Sequence, residues 1–422
     1  MAIRWLVAVV CLSVALFVAA CGGDDEGGGG GGGGGESGSG ELTVYSSLPL
    51  QGAQRFNSTA LNNGAKLALE EAGGKAGDFT IKFQTLDDSS AQAGTWTPEQ
   101  TSANARKVAQ DENAAVYIGE FNSGASAISM PILNEAGVPQ LSPANTGVGL
   151  TSSEPGADTK GGEPDKYYPT GNRHYVRIVP KDTIQGAALA TVMKEDGCTT
   201  VQLLNDKEVY GAGLGRVIES TAKAQGLKIV SNAAVDKNAA NYRSLASKAK
   251  AAGADCMVFA GVTPNNAVQI YKDFAAALGP DAKFYGPDGV AETAFINPKE
   301  GGIPASVAKQ TKLTVATLSP DEYPPEGQKF FDDYAKKYGD KTPDPYGIYG
   351  YEGMRLALDA IERSKTGKRE DIIKALFATK DRSSVLGTYS IDKNGDTTLT
   401  DYGVYTIKDG ELAFDKSVKA KT

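Results

Sequence analysis

Histidine is almost missing from this 422-residue chain; His174 is the single one. A multi-histidine metal centre is thereby excluded, and a Ser-His-Asp triad has only one possible base. Cysteine is sparse, with four residues, too few for a disulfide-dense scaffold. Positive charge is outweighed: 43 Lys and Arg stand against 51 Asp and Glu, for a net charge of −8. That balance leaves no basic footprint for nucleic acid, so no nucleic-acid partner is expected. No GxSxG nucleophile motif occurs. The expectation is a non-enzyme without cofactor or metal. What is present is globular composition, 41% hydrophobic and 22% charged, which rules out wholesale disorder. At about 150 residues per domain, the length suggests two or three domains.

The first residues carry the most specific local signal. Arg4 supplies a positive start, and residues 6–20 are apolar but for Cys11 and Ser13. That run is too short for a span of about 20 residues but suits a secretory h-region. It ends in Val18-Ala19-Ala20-Cys21-Gly22, which resembles the lipobox of bacterial lipoproteins. The resemblance implies a signal peptide over 1–20, lipid on Cys21 and attachment of the chain outside the cytoplasm to the cell membrane. An ordinary signal peptide cut elsewhere is the alternative. Nine glycines, Gly27 to Gly35, dominate the next stretch. Without side chains it has no apolar area to offset its ordering entropy, so 21–40 reads as a tether. It is no phosphate loop, because no Gly-Lys-Ser/Thr follows.

Beyond residue 41, short β-rich runs alternate with helical stretches. Strands are predicted at 42–46, 79–86, 115–118 and 138–141. Helices are predicted at 57–71, at 123–136 and after Thr97-Pro98-Glu99-Gln100, where a threonine cap precedes proline in the first helical position. The alternation restarts after 177–180, with strands at 201–204, 227–230, 256–260 and 283–285 between helices at 183–195, 210–225, 241–252 and 264–277. Such alternation argues for parallel sheets covered by helices, and two series argue for two doubly wound α/β lobes. Residues 151–172, rich in Gly, Pro, Ser and charge, read as an inserted surface loop.

Several motifs look chemical and read more simply as structure. Gly211-Ala-Gly213-Leu-Gly215 has Arg216 where a dinucleotide loop needs its last glycine, so a tight turn is the reading. Asp392-Lys-Asn394-Gly395-Asp396 lacks the sixth-position glycine and twelfth-position acid of a calcium loop, so a hairpin turn is expected. His174 reads as a surface residue, and Tyr346, Tyr349 and Tyr351 as core packing. Cys198 and Cys256 each stand at the start of a strand in the second series. Parallel neighbours would bring both sulfurs to one sheet edge, where an exported protein forms a disulfide; two buried thiols are the alternative.

Four segments, in this order and spacing, resemble the leucine/isoleucine/valine-binding protein family, the substrate-binding components of branched-chain amino-acid ABC transporters. They are Tyr117-Ile-Gly-Glu-Phe-Asn-Ser123, Leu141-Ser-Pro-Ala-Asn-Thr146, Asn205-Asp-Lys-Glu-Val-Tyr-Gly211 and Tyr285-Gly-Pro-Asp-Gly-Val-Ala291. The resemblance implies a type I periplasmic binding fold, two Rossmann-like lobes joined by three crossover strands near 177–180, 314–317 and 392–403. The first lobe would be 41–178 plus 316–392, and the second 179–315 plus 393–422. It implies an amino-acid solute, branched-chain or otherwise apolar, and an ABC permease in the membrane as partner.

Residue by residue, the family's ligand contacts map onto Ser123, Ala144, Asn145, Thr146, Tyr210 and Asp288, and loosely onto Phe56. Departures are Asn145 for a family alanine, Asp288 for glutamate, Val262 or Thr263 for an aromatic residue, and no first-lobe disulfide at Ser89, Ser90 or Asn122. Elementary electrostatics agrees: a helix N-terminus with hydroxyls holds a carboxylate, and an acid on the facing lobe holds an ammonium. An aromatic acid or short amide as ligand, and a ligand-sensing role beside a membrane signalling protein, are the alternatives.

Overall fold

The computed structural model describes residues 39–419. The predicted signal peptide, Cys21 and most of the glycine tether lie outside these residues. Two sheets organise the chain. The first runs, in spatial order, Lys75–Ala76, Phe79–Asp87, Gly40–Leu48, Ala114–Gly119, Gln140–Ser142 and Tyr175–Arg177. All its neighbours are parallel except the first pair. The second runs Lys228–Ala234, Thr200–Asn205, Cys256–Ala260, Lys283–Gly286, Thr311–Val315, Asp401–Lys408 and Glu411–Lys419. Its first five strands are parallel and its last two antiparallel. Central strands such as Ala114–Gly119 and Cys256–Ala260 are buried throughout, because helices cover both faces of a parallel sheet. Phe79–Asp87 instead begins by alternating buried and exposed positions. The alternation read from residue order is thus two doubly wound lobes.

The chain passes between the sheets three times: after Arg177, after Val315 and before Asp401. Between the last two passages lies helix Gly347–Ser364, which packs on the first sheet beside Arg55–Glu71. These two helices approach backbone to backbone. A Cβ on Gly64 would strike the Gly347 carbonyl, and one on Gly350 the Leu61 carbonyl. Helix Pro98–Gln110 starts as predicted, with Thr97 Oγ1 accepting from the Gln100 amide at 3.3 Å. Among the described residues no helix is long and apolar enough to cross a membrane.

Cys198 and Cys256 are joined by a disulfide, their Cα atoms 5.9 Å apart. Strands Thr200–Asn205 and Cys256–Ala260 are indeed parallel neighbours, with Cys256 opposite Val201. Asp255 lies within 4.8 Å of both sulfurs, but a disulfide leaves no thiolate to ligate a metal.

Three expectations are corrected. His174 is not a surface residue but 2% exposed. The 151–172 insertion folds back over it: Tyr167 and Tyr168 are buried, and the Tyr168 ring meets the imidazole edge-on at 5.7 Å. Burial pushes the His174 pKa down to about 3. The insertion is therefore partly a core element, pinned by its aromatic residues. Gly211, Gly213 and Gly215 do not form a turn; they lie inside helix Val209–Ala224. Their missing side chains let that helix press against Asp206, the Gly156 carbonyl and Asn232.

Candidate functional site

Both sheets point the C-terminal ends of their strands at one cavity, where open α/β sheets place ligands. On the first sheet, strand Ala114–Gly119 ends in a turn that delivers Ser123 to the start of helix Ser123–Glu135. Asn122, at the cap position, makes no side-chain capping bond, so the first amides of the helix keep their donors. Its Oδ1 is buried and without a hydrogen-bond partner. The loop after strand Gln140–Ser142 supplies Ala144 and Thr146 beside it. That loop is fixed by Ser142 Oγ, which accepts from the amides of Ala144 at 3.2 Å and Asn145 at 2.9 Å. Ser123 Oγ accepts from the Gly147 amide at 3.2 Å, tying the two loops together.

The opposite wall comes from the second sheet. Tyr210 stands in the first turn of Val209–Ala224, and Asp288 opens a 3-10 turn after Lys283–Gly286. Asp288 is 7% exposed. Its Oδ1 accepts from the Tyr210 hydroxyl at 2.8 Å, and its Oδ2 accepts from the Tyr346 hydroxyl. Burial raises the Asp288 pKa, while the Tyr346 and Tyr210 bonds favour its charged form. Val262 adds an apolar patch and Glu208 a second acid. Among the described residues lining the cavity there is no lysine or arginine.

A further acid sits behind this wall. Asp182, fully buried in the first turn of Asp182–Glu195, has neither carboxylate oxygen hydrogen-bonded, and its amide donates to Thr146 O at 2.8 Å. Burial first, and the charge of Asp288 second, hold its pKa well above the ordinary carboxylate range. The enclosed space is about 20 Å³, roughly one water molecule.

The structure thus brings Ser123, Ala144, Thr146, Tyr210 and Asp288 around one cavity. It does not bring two other predicted residues there. The side chain of Asn145 turns into the fold: Nδ2 donates to Phe121 O at 2.8 Å, and Oδ1 accepts from Ser126 and Tyr175. An amide at that position braces the loop instead of facing a ligand. Phe56 lies in the first turn of Arg55–Glu71, under the Arg55 guanidinium at 3.9 Å, and lines a separate cavity. Tyr346 was read as core packing, yet its hydroxyl meets Asp288 and its ring meets Phe121 edge-on at 5.2 Å. Tyr349 and Tyr351 do bond structurally, to Ala316 O and Glu71. Asp182 was missed because an acid in a first helical turn reads as an ordinary dipole partner.

A family model described as periplasmic binding protein matches residues 46–411. The leucine-, isoleucine-, valine-, threonine- and alanine-binding protein of Pseudomonas aeruginosa is 25% identical over 350 residues, 81% of this chain and 83% of that protein. The Leu/Ile/Val-binding protein homolog 2 of Brucella abortus is 25% identical over 381 residues, 88% and 91% of the two chains. Among solved structures, a leucine-binding protein from Thermotoga maritima superposes with TM-score 0.76 at 22% identity, covering 90% of this chain and 99% of its own. A solute-binding protein of an ABC transporter from R. palustris, in complex with benzoate, superposes with TM-score 0.72 at 20% identity, covering 90% and 97%.

Proposed function

The chain belongs to the periplasmic binding protein family, and from that footing we propose that it captures a small amino acid between its lobes and presents it to the permease of an ABC importer. The lobes are assigned to 41–178 with 316–392, and to 179–315 with 393–422. Ser123, Thr146 and the open amides of helix Ser123–Glu135 receive the ligand carboxylate. Asp288, oriented by Tyr210 and Tyr346, receives the ammonium, with the Asp182 carboxyl group buried behind it. The amino acid is apolar, set by Phe121 and Val262, and it closes the lobes around itself by stabilising the shut arrangement.

The observation that carries this reading is the polarity of the cavity: donors without a cationic side chain on one wall, buried acids on the other. Charge-assisted bonds contribute roughly 1.5–3 kcal/mol each. Four or five of them reach micromolar affinity, about −8 kcal/mol, once ordering costs are deducted. The R. palustris relative was solved with benzoate, and an aromatic acid is the second reading. It is disfavoured because such a ligand brings no cation to Asp288.

The extracytoplasmic location is extended to a membrane anchor through lipidated Cys21, which C21A would convert to a freely released chain. A thermal-shift screen of amino acids, short amides and aromatic acids on the purified body names the ligand. D288A is expected to weaken an amino acid more than tenfold, and D182N by several-fold, in calorimetric titration. Equal affinity with and without the Asp288 carboxylate overturns the assignment.

A further inference from the structure

A second set of contacts joins the two walls away from the solute cavity. Glu292, 1% exposed, precedes the short helix Thr293–Ile296, in the segment that follows strand Lys283–Gly286 of the second sheet. Asn57, also 1% exposed, comes from Arg55–Glu71 beside the first sheet. Asn57 Nδ2 donates to Glu292 Oε2 at a long 3.4 Å. The other oxygen of each side chain, Asn57 Oδ1 and Glu292 Oε1, is buried with no hydrogen-bond partner. Leaving a buried acceptor unpartnered is unfavourable, and here both members of one pair carry such an atom.

An amide and a carboxylate are mismatched, with three acceptor oxygens wanting donors and one –NH₂ group between them, while the nearby Thr263 hydroxyl donates to Gly289 O at 3.4 Å. An amide and a carboxylic acid match, each giving one donor and taking one. The atom that is missing is a proton. We propose that Asn57 and Glu292 form a proton-gated clasp between the lobes: on closing, Glu292 takes a proton from solvent onto Oε1 and donates it to Asn57 Oδ1; on opening, the proton returns to solvent.

The surroundings fit that chemistry. Beside the pair, the Thr293 amide and hydroxyl reach across to Asp344 at 3.0–3.2 Å, and Arg55 pairs with Glu300 at 2.9 Å. Every one of these contacts joins a segment packed on one sheet to a segment packed on the other. Burial is the main force raising the Glu292 pKa, from 4.5 to about 8, and the Asp344 charge adds to it; the Thr263 hydroxyl, the Asn57 amide and the Arg55 charge oppose it. Asp344 is itself raised to about 6 by burial and Asp340, against its bonds from Thr293.

The shut form thus binds this proton more tightly than an open form with a solvated Glu292. Closure is favoured at low pH, weakens by up to about tenfold per pH unit between the ordinary value and the raised one, and flattens above it.

The clasp rests on the two-lobe reading but needs no solute, so its test is independent of the ligand. Small-angle scattering of the full mature chain without ligand, from pH 5 to pH 9.5, reads the opening as a rise in radius of gyration. Wild type is expected to show the rise. E292Q, whose amide N–H replaces the acid O–H and does not titrate, is expected to stay compact throughout. N57L, which removes the partner, is expected to lose the pH step and stay open. A flat wild-type profile, or the same step in E292Q or N57L, overturns the proposal. The infrared difference between glutamate-labelled wild type and E292Q at pH 6.5, which cancels the other buried glutamates such as Glu120, must also contain a protonated-carboxyl band; its absence likewise refutes the clasp.

Discussion

Replacing Asp396 by Asn tests how the anion-facing wall is held. Arg177 is fully buried, and its guanidinium has four partners: Nε donates to Asp396 Oδ1 at 2.8 Å, Nη1 to the carbonyls of Asn145 and Gly147 at 3.1 and 2.9 Å, and Nη2 to Thr151 Oγ1. One cation thereby ties the 145–151 loop to the 392–396 turn. Lys181 adds a second, partly exposed bond to Asp396 at 3.1 Å. Asn at 396 keeps the shape and one acceptor but takes from Arg177 its hydrogen-bonded counter-ion, leaving Asp182 as its acidic neighbour. Breaking a buried pair in this way costs about 3–5 kcal/mol. For a body of roughly 380 residues, at about 2.1 cal/mol/K of unfolding entropy per residue, that lowers Tm by about 4–6 °C.

The acid limb of stability gives a second, signed readout. Arg177 and Lys181 hold the Asp396 pKa below its usual 3.8 against the effect of burial. Its contribution is therefore present above the unfolded value and lost as pH falls through the depressed one, so D396N has a flatter stability curve below pH 4. Thermal unfolding followed by circular dichroism from pH 2.5 to pH 7 measures both. A Tm change under 1 °C at pH 7, or an unchanged acid limb, would refute the claim that this pair holds the loop. The loop carries Thr146 and begins next to Ala144, so solute affinity should fall along with stability.

Reducing the Cys198–Cys256 disulfide releases a loop of sequence separation 58, which lowers stability by about 4 kcal/mol in the chain-entropy picture; a drop of about 5 °C in Tm with reductant, absent from C198A/C256A, checks it. G64A forces a methyl group into the Gly347 carbonyl and toward the Tyr351 amide. Overpacking of this kind costs about 1–3 kcal/mol, read as a lower urea midpoint with unchanged slope, whereas exposed G253A, with open space around its Cβ, should cost only the strain of its left-handed backbone.

Alternation of short apolar runs with helical stretches was enough to read two parallel α/β layers, because central strands such as Ala114–Gly119 and Cys256–Ala260 are brief and buried. Ser123, Tyr210 and Asp288 were named by the resemblance to the family, and their places in the chain agree with it. Each stands just past a strand end, where the chain turns and its side chain is free to face a ligand. The insertion was misread because its glycines and charges hide Tyr167 and Tyr168, two rings that suffice to bury His174. The glycines at 211, 213 and 215 were misread because a helix that needs close approach and a turn that needs positive φ look alike in a string of letters. At these three the demand is space: Asp206, Gly156 and Asn232 occupy it.

What residue order could not supply is anything that depends on the two walls meeting. Tyr346 lies 58 positions from Asp288, Asp182 draws its significance from the charge of Asp288, and Glu292 is 235 positions from Asn57. Each looks unremarkable on its own segment: a tyrosine before a helix, an acid in a first turn, a glutamate at a cap. Their chemistry arises because closing the lobes removes water from both partners at once. A group solvated in the open form must then find a partner, a proton or a ligand in the shut one. The buried, unpartnered oxygens of Asp182, Asn122 and Glu292 are where that demand is unmet by the protein alone. For Asp182, behind the proposed solute site, a ligand ammonium would be the complement. For Glu292, which faces an amide and no cavity, it is a proton. If the proposed solute site and clasp share one motion, solute capture at fixed pH and proton uptake at fixed solute are expected to report the same closure.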